Sequence, residues 1–319
     1  MKKKLSFKGL WKVLKDSYNG FSEDRILKLS ASLAYYTVFS MGPLLLMIIS
    51  LTSIFFGREA VEGRVYGQLE GFIGHDTAIQ LQEIIKNAAI MGKGKLAAII
   101  GGVVLVLGAT SVFGEIQDSI NMIWGIKLKP RHGIGNILRN RLLSFSIIIG
   151  LGFLLLVSLV FSALVDAFSG RLQNMFPHIS VLLFYIINVV LTFVVTTLIF
   201  GCIFKILPDA RIRWKDVIAG AITTSILFMM GKFLISYYIS KSNVGTTFGA
   251  AGSLVVLLLW IYYSSVILYL GAEFTKKYAV EYGAEIYPSE YAITVKQVEV
   301  EANGKSVQEK EKTPTKKTL

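Results

Sequence analysis

The chain has 319 residues, of which 53% are hydrophobic and only 17% charged, with a mean hydropathy of +0.59 and a net charge of +12. A soluble domain carries nearer to about a quarter charged residues, so the composition excludes an ordinary soluble enzyme and points to a polytopic membrane protein. The basic residues are dealt out between apolar runs instead of forming one groove-sized patch, so no nucleic-acid partner is expected.

Lysines at positions 2 to 4 resemble the start of a signal peptide, but the first long apolar run begins only near Leu33 and has no small-residue cleavage site behind it. No cleavage is expected. Residues 1–28 are read as a cytoplasmic N-terminal segment. Within it Leu10, Trp11, Leu14 and Tyr18 fall at helical spacing, with Lys8, Lys12 and Lys15 turned elsewhere. That pattern predicts an amphipathic helix, either lying in the anionic headgroup layer or simply solvated, and Asn19-Gly20 is expected to break it.

Residues 29–280 are read as an all-α domain of six transmembrane helices, with spans at about 32–56, 96–114, 142–165, 181–204, 217–239 and 254–274. Each has close to the ~20 apolar residues that a hydrocarbon core of roughly 30 Å requires. Pro43 removes a backbone N–H inside the first span and predicts a kink there. Residues 58–95 read as one or two amphipathic helices on the outer surface. Glycine and alanine in the second span allow close helix packing. The fourth span carries Asn188, Thr192, Thr196 and Thr197. Pro208-Asp209 stops it and Trp214 marks the start of the fifth. Residues 281–319 are polar and poor in aromatics and are read as a cytoplasmic, largely disordered tail.

The count of lysine and arginine orients this topology. Segments assigned to the inside hold 25 of the 33 basic residues and the outer loops hold 7, with Lys232 inside the fifth span. By the positive-inside rule both termini are cytoplasmic, and the expected location is the cytoplasmic membrane, crossed several times.

Catalytic chemistry needs converging nucleophile, base or metal ligands. His75, His132 and His178 fall in three different loops, the only cysteine, Cys202, lies in an apolar run, and no Gly-rich phosphate loop occurs. Neither an enzyme nor a cofactor or bound metal is therefore expected. The informative residues are ionisable groups in or beside the spans, because a charge at the membrane centre costs from about 2.5 kcal/mol upward and usually faces the bundle interior or water. Lys232 either snorkels to the headgroups or faces a polar cavity. Glu115 and Asp118 lie one turn apart with Asn121 after them, as a lining at the cytoplasmic mouth or as a helix emerging into water. Tyr262, Val266, Tyr269 and Glu273 share one helix face, while Glu273 also has Lys276 and Lys277 within reach as partners. Glu115, Asp118, Asn121, Lys232, Tyr269 and Glu273 are thus the candidate cavity-lining residues. Gly245, Gly249 and Gly252 are candidates for close helix packing, with an unwound backbone at a substrate site as the alternative.

The segments AYYTVFSMGPLLLMIISL, INMIWGI, LPDARIRWKDVIAGA and GAAGSLVVLLLWIYYSSVILYLGAEFTKK together resemble the YihY/BrkB family of bacterial inner-membrane proteins, over roughly residues 16–277. The resemblance implies six spans in a cell membrane and supplies no agreed substrate. The family's older label, ribonuclease BN, looks like a misassignment, since the chain offers no nuclease constellation. The leading expectation is a transporter or permease-like protein for a small polar solute or a lipid-linked envelope precursor. The alternative is a non-transporting scaffold that supports the envelope. Expected partners are membrane lipids, with anionic headgroups at the cytoplasmic face, and either further copies of the chain or envelope proteins.

Overall fold

The computed structural model describes residues 6–40, 63, 66, 67, 79, 111–129, 180–241, 252–283 and 286–295. The second and third expected spans and most of the first lie wholly or largely outside these residues. So do Pro43, Gly245, Gly249, the three histidines, most of the outer segment 58–95 and the tail from residue 296.

Helix α1, Phe7–Glu23, starts at Ser6, whose hydroxyl accepts from the Gly9 amide at 3.2 Å. It does not break at Asn19-Gly20 as the sequence suggested. Gly20 lies against Glu273, where a Cβ would collide with the carboxylate and lie 2.7 Å from its Cδ, so this glycine serves close packing within a helix. The chain turns at Asp24-Arg25, with Arg25 at φ 51°. Helix α2 then occupies residues 26–40, the part of the expected first membrane helix that is described.

Helix α3, residues 111–123, runs on past 114, the expected end of the second span. Gly125, at φ 67°, turns the chain into strand β1, Ile126–Leu128. Three long helices follow: α4, Ser180–Ile206; α5, Trp214–Lys241; and α6, Gly252–Tyr282. Val189–Ile206, Trp214–Ile235 and Leu254–Tyr282 are each long and apolar enough to cross a membrane. They match the fourth, fifth and sixth expected spans.

Several hydroxyls on these helices bond back to their own backbone. Thr196, Thr197, Thr223, Ser264 and Ser265 each donate to a carbonyl four residues earlier on their own helix, at 2.7 to 3.0 Å. Outward, Ile186, Val190, Val194 and Leu198 form an exposed stripe on α4, and Ile218, Ile222, Ile226 and Met230 form one on α5. Spacing of four keeps each stripe on one face. Inward, Phe113, Ile120, Phe204, Val217 and Tyr269 join the main core, and Phe228 stacks on Trp260 at 6.1 Å between α5 and α6.

Helices α5 and α6 meet through small residues. A Cβ on Gly220 would collide with the Thr275 hydroxyl, and a Cβ on Gly271 would collide with the Thr224 hydroxyl. Each threonine donates to the carbonyl of the glycine one turn before it on its own helix, both at 2.7 Å. The two Gly-xxx-Thr steps are therefore reciprocal. Among the expected packing glycines, Gly252 is the first residue of α6 and is buried.

The segment 286–295 departs from the expected disordered tail. Its strand β3, Tyr287–Pro288, pairs antiparallel with β2, Ala210–Arg211, and β4, Ala292–Thr294, pairs antiparallel with β1. Backbone pairing ties the chain after α6 to the turn after α3 and to the α4–α5 turn. The architecture is thus helical with two small strand pairs, and α1, the end of α4, the start of α5 and the end of α6 all meet at this strand-bearing end.

Candidate functional site

The strand-bearing end holds a layer of polar side chains built around α6. Its helical period puts Tyr269, Glu273, Lys276 and Lys277 on one side and Gly271 and Thr275 on the other. Helix α5 takes the small side; α1, the α1–α2 turn and the end of α3 take the polar one.

Glu273 is fully buried. Its Oε1 lies 3.1 Å from Lys277 Nζ and its Oε2 lies 3.4 Å from Lys276 Nζ. Neither oxygen receives a well-directed hydrogen bond among the described residues, so ion pairing compensates the carboxylate. Lys276 also reaches Asp24 at 3.4 Å and donates to the Ile123 carbonyl at 2.5 Å. Its three donors thus serve α6, the α1–α2 turn and the end of α3. Trp124 adds a second tie, donating from Nε1 to the Ala272 carbonyl at 3.0 Å.

One turn earlier on α6, Tyr269 is buried beside Ser119, with Glu115 and Asp118 close enough for their charges to act on it. Its hydroxyl has no hydrogen-bond partner of good geometry among the described residues. Asp118 keeps an open edge, yet the protein packed around it, together with the charges of Glu115 and Asp209, holds its carboxyl above the usual carboxylate range.

Asn121 is almost fully buried and engaged with Asp209. Its amide donates to Oδ2 at 2.7 Å, and its Oδ1 accepts from the Asp209 backbone N–H at 2.9 Å. Gln117 donates to both carboxylate oxygens at 3.1 Å. A carboxylate satisfied in this way fixes the α4–α5 turn to α3. Lys205 donates to the Ile212 carbonyl across that turn and lies over the Trp214 ring, 5.7 Å from its centroid.

The structure therefore gathers Glu115, Asp118, Asn121, Tyr269 and Glu273 into one layer. Lys232 is not part of it. The Gly220–Thr275 and Thr224–Gly271 contacts put Ile222 level with Glu273, and Lys232 stands roughly 15 Å further along α5, half-buried. Sequence reasoning missed Asp24, Gly20, Gln117, Asp209 and Ser119. Asp209 and Gly20 carried local signals, read as a helix stop and a helix breaker; the other three carried none. Among the described residues no group of three or more His, Cys, Asp or Glu side chains is placed to hold a metal ion.

Residues 17–291 match the family described as Virulence factor BrkB. The chain belongs to the BrkB family. The match covers the whole polar layer, including both strand-forming turns and most of the strap that follows α6. Similar BrkB-like relatives include a UPF0761 membrane protein of Psychromonas ingrahamii, 28% identical over 79% of this chain and 82% of the relative. Another is a UPF0761 membrane protein of Haemophilus influenzae, 25% identical over 79% of this chain and 90% of that protein. One from Methylibium petroleiphilum is 29% identical over 81% of this chain and 60% of the relative. No solved structure matches the chain. Membership in the BrkB family and the apolar helices together make this a membrane protein.

Proposed function

We propose that the chain is a permease-like protein of the cytoplasmic membrane, multi-pass and non-enzymatic, that moves a small polar solute or a lipid-linked envelope precursor. In this reading the layer around Glu273 is the closed end of the path. The observation that carries it is the fully buried Glu273 carboxylate on a helix of membrane length, held by Lys276 and Lys277. A carboxylate taken wholly out of water is costly to bury even when paired, so one kept at this end of the bundle is a functional-site candidate. Packing does not require it, because the opposite side of α6 is already joined to α5 by the Gly-xxx-Thr steps.

The test is thiol accessibility in a Cys202→Ala background, with single cysteines at Glu115, Tyr269, Glu273 and Lys232 and a membrane-impermeant reagent applied from each side. Labelling of Glu115 and Tyr269 from one side and of Lys232 from the other supports a wet path closed in this layer. Protection of all four from both sides in folded protein sinks it.

A second reading, a non-transporting scaffold, is favoured by the strap. Residues 286–295 present a backbone-paired surface joining three segments of the chain, as a fixed docking platform would. The same labelling separates the two, since a scaffold needs no wet interior. Purified, metal-supplemented protein is expected to show no turnover of RNA on either reading.

A further inference from the structure

Helix α1 has three sides. Val13, Ser17 and Gly20 are buried against α6. On the far side Phe7, Trp11 and Tyr18 are 85%, 65% and 75% exposed, and Leu10 and Leu14 are exposed between them. Lys8, Lys12 and Lys15 run alongside that apolar face, and Lys12 is already held by Glu281 at 2.8 Å. A contiguous face of five large apolar side chains marks an interaction surface.

Its height in the bundle indicates the partner. Helix α6 has 31 residues, about 46 Å of helix, against a hydrocarbon core of roughly 30 Å. Glu273, Lys276, Lys277 and Glu281 all fall in its last turns, so these are the turns that stand beyond the acyl chains, and α1 packs on them. Gly20 meets Glu273, Val13 joins Phe274 and Tyr282, and the Tyr282 hydroxyl donates to the Ser6 carbonyl at 3.0 Å. Tryptophan and tyrosine are the residues that settle at this level. Trp214, at the start of α5, is exposed at the same end.

We propose that the outward face of α1 is a docking surface for anionic lipid, with Trp11, Leu14 and Tyr18 entering the acyl boundary and Lys8 and Lys15 meeting lipid phosphates. The lysine stripe beside the apolar face complements a negative surface and would repel the same stripe on a second copy. This assignment rests on membrane placement alone and stands or falls separately from the permease reading.

The experiment uses the full chain in nanodiscs, with Cys202→Ala and Leu14→Cys carrying an environment-sensitive fluorophore. The discs contain bromine-labelled phosphatidylcholine, alone or mixed with phosphatidylglycerol. The expected result is quenching that strengthens with phosphatidylglycerol and weakens with salt. Each lysine is worth roughly a fivefold preference for an anionic surface, so Lys8→Gln with Lys15→Gln should remove most of the lipid dependence at unchanged melting temperature. Trp11→Cys labelled in the same way should behave alike. An unquenched label overturns the proposal, whether the face meets water or a second copy, and disulfide crosslinking of unlabelled Leu14→Cys identifies the latter. Quenching that is equal with and without anionic lipid also overturns it.

Discussion

Helix α6 is held on opposite sides by two unlike interfaces. Toward α5 it uses uncharged, close-packed residues, Gly271 and Thr275 against Thr224 and Gly220, with each hydroxyl satisfied on its own helix. Toward α1 and α3 it uses a buried carboxylate, two lysines, one of which donates to the Ile123 carbonyl, and its own Ala272 carbonyl, which accepts from Trp124. The first kind of contact depends on shape and tolerates no added volume. The second depends on charge compensation, which can be made and broken without repacking. On the permease proposal, an α6 fixed to α5 by shape and held to α1 by charge is the arrangement that a closure would use.

The largest expected effect lies on the shape-dependent side. Gly220→Ala places a Cβ 2.8 Å from the Thr275 Cβ, a β-branched side chain with little freedom to give way. We expect a loss of about 1–3 kcal/mol, read as a lower melting temperature in detergent or nanodiscs. Adding Thr275→Gly should recover a large part of that loss. A Gly220→Ala variant as stable as the parent would show that α5 and α6 do not pack through this step.

On the charged side, Glu273→Gln keeps the volume but removes both ion pairs. Because Lys276 and Lys277 retain partial exposure and can turn to water, the expected loss is smaller, roughly 1–2 kcal/mol. The substitution should also raise thiol labelling of a cysteine placed at Ser17, which α1 now buries. Unchanged stability and labelling would mean that α1 docks through Val13 and Tyr282 alone.

Asp118 sharpens the comparison through pH. Its folded pKa is raised by burial and by Glu115 and Asp209, so the group favours the folded state in acid, and that contribution is lost as pH rises through the folded value. Asp118→Asn should therefore stabilise the protein by a few tenths of a kcal/mol near neutral pH, the scale for a partly exposed charge. The gain should vanish below the ordinary carboxylate range. Melting curves of both proteins across pH decide it.

The two interfaces were unequally legible in the sequence. The existence of α4, α5 and α6 followed from apolar runs of membrane length, but their ends did not. Hydropathy marks where a helix leaves lipid, and α6 continues to Tyr282, past the expected end at 274. The repeated Gly-xxx-Thr spacing at Gly220 and Gly271 is visible in the sequence, but glycine spacing alone points equally to Gly245, Gly249 and Gly252. Glu273 stood out because a carboxylate on an aromatic stripe is locally conspicuous. Its surroundings were not visible, since Lys276 meets Asp24 across 252 positions and Asn121 meets Asp209 across 88. Gly20 looked like a helix breaker because its packing partner was out of sequence view. The strap at 286–295 was hidden for another reason: its strands pair through backbone groups, which polar composition does not report.

The smallest expected effect lies inside the charged interface itself. Lys12 and Glu281 also join α1 to α6, at 2.8 Å, but the lysine is mostly exposed and its pKa is raised chiefly by the hydrogen bond to Glu281. An ion pair open to water gives up side-chain freedom for a screened attraction, so its net contribution is small and fades as salt shortens the Debye length. Lys12→Gln should lower the melting temperature barely at low salt and not at all at high salt. It should also leave the lipid dependence of a label at position 14 intact, because the proposed lipid contact assigns the headgroups to Lys8 and Lys15 while Lys12 is held by Glu281. A Lys12→Gln loss as large as that of Glu273→Gln would show that charge, wherever it sits, holds α1 in place, and the distinction between the exposed and buried pairs would fall.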